Sequence, residues 1–243
     1  MPIRCRDCPL RQRDCFLDFS ADEVAFMERF KSGELHVDPG TTILMQGSTS
    51  PQLYTALSGM GLRHKTTRDG ARQVLNFVLP GDFIGLQAGL IGDMQHSVEA
   101  TTAMTLCVFR RDDLWKLFQS YPSRAFDLTW LVAMEERFLG EAITAVGQRP
   151  AIERVAWALA RLFRRIQALG AGLDENAVPL PYRQQDLADA LGLSLVHTNK
   201  TLRMLRERQV LRWTDGILRV ADPQRLFTAA DLDGAGVRRR PLL

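Results

Sequence analysis

The hydrophobic pattern of the chain changes near residue 122, and this change separates two kinds of structure. Between about residues 33 and 110, short apolar runs alternate with turn residues such as Pro39-Gly40 and Pro80-Gly81. Regular turn signals between short runs are typical of antiparallel strands in a sandwich or roll. From Ser123 onward, apolar residues recur every three or four positions, which indicates helices. The sequence therefore predicts an α+β protein in which the β part comes first.

Length and composition favour a protein of two domains. With 243 residues, 46% of them hydrophobic and 24% charged, the chain can bury two cores and has ordinary globular composition. No segment has the run of about 20 apolar residues that a membrane span requires, and the N-terminus lacks the apolar core of a secretion signal. We therefore expect a cytoplasmic protein without a membrane partner. The four histidines are scattered, and the sequence has no glycine-rich loop of the kind that binds phosphate. We therefore do not expect this protein to be an enzyme.

Residues 123–148 are predicted to form one long helix. Its apolar stripe extends over about 24 residues, which corresponds to about 36 Å of helix. Because the stripe is close to the heptad seam of paired helices, we expect this helix to join two copies in a homodimer. Packing of the helix against its own domain is the alternative. The predicted seam residues are Leu128, Val132, Leu139, Ala142 and Val146.

Residues 184–208 have the layout of two helices joined by a tight turn. Gly192 permits the turn, Ser194 caps the second helix, and Ala188 is small where the helices cross. A hairpin used only for packing would not need the glycine, the cap and a basic outer face together. The segment therefore predicts a helix-turn-helix that binds double-stranded DNA. Its small core would consist of Leu187, Leu191 and Leu193.

The second helix of this motif would enter the major groove with its N-terminal turns. Within it, Lys200 can donate to a guanine edge and Asn199 can pair with an adenine edge. If Leu202 and Leu205 face inward, the side chains near the bases are those of Val196, His197, Asn199, Lys200 and Arg203. Contacts to phosphate are expected from Arg183, Gln184, Gln185 and Ser194.

A β-hairpin is predicted after the helix-turn-helix, because Asp215-Gly216 is a favoured two-residue turn. Trp213 is expected in the core of this wing. The basic run 238–240 adds to the positive charge that could contact phosphate. The predicted parts are a cysteine-rich segment (1–20), a β-roll sensor domain (21–122), a dimerisation helix (123–148), a winged helix-turn-helix (149–232) and a basic tail (233–243).

Two groups of motifs follow one another in the chain. The segments 37–40 (VDPG) and 79–85 (LPGDFIG) resemble the strand–turn pattern of a cyclic-nucleotide-binding fold, and 188–206 resembles a DNA-binding motif. Together they resemble the Crp/Fnr family of bacterial transcription regulators. The resemblance implies a homodimeric regulator that binds a palindromic operator and contacts RNA polymerase. The second helix lacks the Glu-x-x-Ser-Arg pattern of Fnr-like members, which implies a different half-site.

The resemblance also bears on small-molecule ligands. Cyclic-nucleotide binders of this family hold the ribose with a glutamate and the phosphate with an Arg-Ser pair. The corresponding segment here, residues 85–98, offers Gln87 and His96 instead. Because an anionic phosphate would lack its fixed positive partner, we expect no cyclic AMP binding.

The chain has four cysteines, Cys5, Cys8, Cys15 and Cys107. Fnr-like members carry an oxygen-labile four-iron–four-sulfur cluster on three N-terminal cysteines and one later cysteine. The resemblance implies that these four residues hold such a cluster and that the protein senses oxygen or redox state. The alternatives are a zinc site, reactive thiols whose pKa values the flanking arginines lower, and a purely structural Cys107. The matching alternative function is a cofactor-free regulator controlled by thiol oxidation or by its own abundance.

Overall fold

The computed structural model describes residues 2–232 and 237–243, and the chain divides into two compact units. The first unit comprises Met1–Met134 together with Arg239–Leu243, and the second comprises Glu135–Arg238. The boundary falls inside the long helix, and the last five residues return to the first unit. The predicted basic tail is therefore divided between the two units, and its residues 233–236 lie outside the described part of the chain.

The first unit is a roll of antiparallel strands with helices before and after it. It begins with short 3₁₀ turns at Cys5–Asp7 and Pro9–Gln12. Its strands are β1 (Lys31–Val37), β2 (Thr42–Leu44), β3 (Gln52–Ser58), β4 (Gly61–Thr66), β5 (Arg72–Val78), β6 (Phe83–Ile84), β7 (Ser97–Ala100) and β8 (Met104–Arg110). Its helices are α1 (Ala21–Phe30), α2 (Leu86–Ile91), α3 (Leu114–Ser120) and the first half of α4 (Pro122–Gln148).

The strands form two sheets that share one core. The sheet orders are β1-β8-β3-β6 and β2-β7-β4-β5, and every pairing is antiparallel. Tyr54 and Leu106 of one sheet pack in the same apolar cluster as Leu44, Val78 and Val98 of the other. The predicted β-roll is confirmed.

A second core forms where helices cover the roll. Phe26 of α1, Phe109 of β8, Leu117 of α3 and Leu128 of α4 belong to one buried cluster. Leu128 is only 2% exposed. The assignment of Leu128 to a dimer seam is therefore wrong, because its side chain is already buried in the core of its own unit.

Helix α4 is continuous over 27 residues, or about 40 Å at the standard rise. The prediction of one long helix over residues 123–148 is confirmed. Val132, Leu139 and Val146 of the predicted seam are exposed, whereas Ala142 is partly buried. Ile143, 73% exposed, is the most exposed large apolar residue of this helix and was not among the predicted seam residues.

The second unit contains the remaining helices and a small sheet. Its helices after α4 are α5 (Ala151–Ala168), α6 (Gln184–Leu191), α7 (Leu195–Glu207) and α8 (Pro223–Ala229). Its strands are β9 (Ala177–Pro179), β10 (Leu211–Thr214) and β11 (Ile217–Val220), in the order β10-β11-β9. The predicted hairpin wing is present, and β9 adds a third strand to it. Trp213 is partly buried and donates from Nε1 to the carbonyl oxygen of Leu180 at 3.1 Å.

A capping box fixes the start of α1, and it gives a testable prediction. Ser20 Oγ accepts from the N–H of Glu23 at 3.2 Å, while Glu23 accepts from the N–H of Ser20 at 2.8 Å. Ser20→Ala should reduce the free energy of unfolding of the first unit by about 1 kcal/mol, because one end of the box is lost. Urea unfolding followed by circular dichroism measures this change. Ser120→Ala, at an exposed helix end, should have almost no effect, and equal losses in both variants would contradict the capping role.

Candidate DNA-binding surface and cysteine cavity

The turn between α6 and α7 has the geometry that the sequence predicted. Gly192 has φ 62° and ψ 36°, a left-handed backbone conformation that residues other than glycine rarely adopt. Its N–H donates to the carbonyl oxygen of Ala188, which closes the end of α6. Ser194 Oγ accepts from the N–H of His197 at 3.2 Å and caps α7. Backbone and cap together fix the angle at which α7 leaves the turn.

One face of α7 is buried and the opposite face is exposed. Leu202 and Leu205 are 8% and 1% exposed, and Leu187 and Leu191 of α6 are also buried. Leu193, the third predicted member of this core, is partly exposed. Thr198 and Thr201 are also buried, which completes the inward face. The exposed face carries Val196, His197, Asn199, Lys200 and Arg203.

The polar groups on the exposed face of α7 are free to meet a ligand. Lys200 forms no ion pair with any residue in the described part of the chain. Arg203 is 3.6 Å from Glu207, and both side chains are more than 60% exposed. Exposed pairs of this kind contribute little, so the guanidinium can exchange this partner for a base or a phosphate.

The N-terminus of α6 combines a cap with one surface cation, Arg183. Arg183 donates to both carboxylate oxygens of Asp186, at 2.9 and 3.2 Å, and Asp186 is buried. The Arg183 side chain nevertheless remains 68% exposed. Gln185 donates to Asp189 at 2.5 Å, and Gln184 is partly exposed. Backbone N–H groups at a helix start favour anions, which suits this end to a phosphate.

Two arginines of the basic run 238–240, which was predicted to contact phosphate, have carboxylate partners in the structure. Arg240 Nη1 is 2.7 Å from Asp82 Oδ1, and Arg239 Nη2 is 3.0 Å from Asp18 Oδ2. Both acidic residues belong to the first unit. These arginines are therefore engaged by carboxylates of the β-roll unit, whereas Arg238 is exposed.

Three of the four cysteines line one apolar cavity in the first unit. Cys5, Cys8 and Cys107 surround a space of about 30 Å³, and Leu242 and Leu243 also line it. A cavity of this volume has room for about two water molecules. The fourth cysteine, Cys15, is buried elsewhere, and its carbonyl oxygen accepts from the N–H of Arg240 at 2.8 Å.

Burial favours the neutral form of the Cys5 and Cys107 thiols. Burial raises the pKa of Cys5 and of Cys107 to about 11, although the nearby Lys31 ammonium acts in the opposite direction. Burial also raises the pKa of Cys15. The expectation that flanking arginines lower the thiol pKa values is therefore wrong for Cys5 and Cys15. Arg6 is instead paired with Glu28 at 3.0 Å.

The described arrangement does not match the predicted ligand set of four cysteines. Among residues 2–232 and 237–243, no three His, Cys, Asp or Glu side chains are placed as ligands of one metal ion. Cys15 does not line the cavity, and Leu242 and Leu243 occupy part of its wall beside the other three cysteines. A cluster held by all four cysteines would therefore require Cys15 to move.

In the region that corresponds to a nucleotide site, neither Gln87 nor His96 supplies a positive charge. Gln87 accepts through Oε1 from the N–H of Gln95 at 3.2 Å. His96 is buried, and burial followed by the charge of Arg63 lowers the pKa of its imidazole to about 4. The ring is therefore neutral at physiological pH and adds no positive charge for a phosphate.

Comparison with known proteins agrees with these features. Residues 34–121 match the cyclic nucleotide-binding domain, and residues 153–228 match the Crp-like helix-turn-helix domain. The nitrogen fixation regulation protein FixK of Rhizobium meliloti is 31% identical over 73% of this chain and 77% of its own length. FixK of Bradyrhizobium diazoefficiens is 29% identical over 93% of both chains.

A third relative and one solved structure extend the comparison. The transcriptional activator protein FnrL of Cereibacter sphaeroides is 29% identical over 86% of this chain and 84% of its own length. The structure of FixK2 from Bradyrhizobium japonicum aligns with a TM-score of 0.72 and 26% identity, over 84% of this chain and 98% of that one. The chain therefore belongs to the Crp/Fnr family of transcription regulators. Its relatives are regulators rather than enzymes, as the sequence predicted. No helix in the described residues is long and apolar enough to cross a membrane.

The division of roles between α7 and α6 gives a testable prediction. Lys200→Ala should weaken binding to the operator by about 1–3 kcal/mol and relax the preference at one base pair. Arg183→Ala should weaken binding to all sequences alike and reduce the slope of log K against log salt by about one. Fluorescence anisotropy with operator and random duplexes, over a range of salt concentrations, measures both. An equal loss on both duplexes for Lys200→Ala would show that Lys200 contacts only the backbone.

Proposed function

We propose that this protein regulates transcription by binding a palindromic operator as a homodimer, with one α7 helix in each half-site. The observation that carries the proposal is the division of α7 into a buried face and an exposed face of donors and acceptors. A helix with this division, fixed by a left-handed glycine and a serine cap, is suited to the major groove. Membership of the Crp/Fnr family supports the same role. We further propose that it works in the cytoplasm and acts through RNA polymerase.

The apolar stripe of α4 supports the proposed homodimer. Val132, Leu139, Ile143 and Val146 are exposed on this helix, at spacings of seven, four and three residues. This spacing places them along one side of a helix. Large exposed apolar side chains in a row cost free energy in water, and a second copy of the same helix would bury them symmetrically. Two α7 helices would then face two half-sites.

We propose that the sensor of this regulator is the cysteine set, with a four-iron–four-sulfur cluster as its occupant. The cysteine pattern supports this occupant, and so does the shared cavity of Cys5, Cys8 and Cys107. When bound, such a cluster supplies an oxygen-labile redox centre. The chain itself contributes thiolates, and the Lys31 ammonium beside two of them favours the deprotonated form. Cys15 is the residue that must move to complete the set.

A cofactor-free regulator controlled by thiol oxidation is the second candidate. Cys15 is buried outside the cavity, and control by oxidation of the three cysteines that share the cavity would not require it. The position of Cys15 therefore favours this second candidate. The two candidates differ in colour, since iron–sulfur proteins absorb visible light and free thiols do not. They also differ in whether Cys15 is required.

The proposed dimer predicts that a charge on the α4 stripe separates the copies. Leu139→Glu would bury an unpaired carboxylate at the seam, which costs about 3–5 kcal/mol. Analytical ultracentrifugation should then find monomers at concentrations where the native protein is dimeric. Ala133→Glu places the same charge on an exposed position away from the stripe and should leave the dimer intact. If the Leu139→Glu variant still forms a tight dimer, the apolar stripe of α4 is not part of the interface.

The proposed cluster predicts a coloured protein when it is purified without oxygen. Cys107→Ser and Cys15→Ser should each abolish the visible absorption and the bound iron, and should weaken operator binding under anaerobic conditions. Loss of colour in Cys107→Ser alone would mean that Cys15 is not a ligand. A native protein that is colourless and free of iron, yet binds the operator tightly, would leave thiol control as the better explanation. Absorption spectra, iron analysis and anisotropy measure these outcomes.

A further inference from the structure

The last five residues, Arg239–Leu243, lie on the first unit, and we call them the docking segment. Its backbone both donates a hydrogen bond to the N-terminal stretch and accepts one from it. The N–H of Arg240 donates to the carbonyl oxygen of Cys15 at 2.8 Å, and the N–H of Leu17 donates to the carbonyl oxygen of Arg240 at 2.9 Å. This parallel bridge around Phe16 holds the docking segment by main-chain hydrogen bonds.

Arginine contacts anchor the start of the docking segment. Arg240 forms an ion pair with Asp82 at 2.7 Å and donates to the carbonyl oxygen of Gly81 at 2.9 Å. The two paired side chains are 19% and 10% exposed, so the pair is largely shielded from water. Arg239 donates to the carbonyl oxygen of Phe16 at 2.6 Å as well as to Asp18.

The turn before β6 forms the site that binds Arg240. Gly81 has φ +86°, and a Cβ at this position would lie 2.2 Å from Cζ of Phe16. The Phe16 ring therefore packs directly on the glycine. Asp82 also accepts from the N–H of Leu79 at 2.9 Å, which orients the carboxylate that meets Arg240. The position of the anion is thus set by the roll and does not depend on the docking segment.

The other end of the docking segment is apolar and reaches the cysteine cavity. Leu242 and Leu243 are each 5% exposed, and both line the cavity with Cys5, Cys8 and Cys107. The buried hydroxyl of Thr55 donates to the carbonyl oxygen of Leu243. Burial of two leucines favours the docked position by the hydrophobic effect, and the hydrogen bond to Thr55 fixes how far the segment reaches.

We propose that the docking segment is an intramolecular ligand of the cysteine cavity and controls the access of solutes to Cys5, Cys8 and Cys107. The space left beside these residues is about 30 Å³, enough for about two water molecules. Cys5, Cys8 and Cys107 are each partly exposed, but a larger group can enter the space among them only when Leu242 and Leu243 withdraw. Any occupant of the cavity therefore competes with the docking segment, and binding of one weakens binding of the other. This inference goes beyond DNA binding and does not depend on which group the cysteines hold.

Thiol alkylation tests the proposal directly. The full-length protein is reduced, treated with a chelator and mixed with iodoacetamide, and peptide mass spectrometry follows the modification of each cysteine. Leu243→Asp and the double variant Arg239→Ala/Arg240→Ala should both accelerate alkylation of Cys5, Cys8 and Cys107 by about tenfold, which corresponds to a loss of about 1.4 kcal/mol of docking free energy. Unchanged rates in both variants would overturn the proposal.

Two controls separate undocking from other effects. Arg238→Ala removes a neighbouring exposed charge and should leave the rates unchanged. Val98→Ala weakens the fully buried core of the roll away from the docking segment. If Val98→Ala accelerates the three cysteines as much as the docking variants do at equal thermal stability, the thiols react through general loosening and the proposal is wrong.

Restoration by a separate peptide gives an independent measurement. A synthetic peptide with the sequence of residues 239–243 should slow alkylation again when it is added to the Leu243→Asp variant. The same peptide with aspartate in place of both leucines should not. If neither peptide changes the rate, or both do, the cavity does not recognise the docking segment. Neither readout involves DNA, so failure here is distinct from failure of the proposed regulatory function.

Discussion

The burial of the first turns of α4 is the interaction on which much of the structure depends. Leu128 enters the core that α1, β8 and α3 share. Close by, Arg124 is held between Glu23 and Asp127 at 3.0 and 2.9 Å and is only 5% exposed. These contacts fix the rotation of α4 about its axis. Within the first unit, this rotation buries Leu128 and leaves Val132 exposed.

Local patterns predicted the parts of this protein that depend on neighbouring residues. The turn at Gly192, the cap at Ser194 and the inward Leu202 and Leu205 follow from spacing alone, because each residue acts within one or two helical turns. Strand β9 was missed because three residues that end in Pro179 carry no periodic signal. Strand β1 gives only a weak signal, because its sequence, KSGELHV, is mostly polar.

Contacts between distant residues could not be read from the sequence. Arg240 and Asp82 are 158 positions apart, and a run of arginines resembles a phosphate-binding tail until the carboxylate opposite it is known. The cysteines show the same limit. Arginines adjacent in sequence indicated lower thiol pKa values, but Arg6 is paired with Glu28 and burial dominates at Cys5 and Cys107. Leu128 fits the period of the stripe, and only packing shows that it belongs to a different surface.

The strict separation of the two faces of α7 has an evolutionary consequence. Stability resides in buried residues such as Thr198, Leu202 and Leu205, while Val196, Asn199 and Lys200 are exposed. Substitutions at exposed helix positions usually change folding stability little. The outward face can therefore drift through many combinations without endangering the scaffold. Duplicated copies of such a gene could acquire new sets of target promoters by a few changes, which suits this architecture to the diversification of regulatory networks.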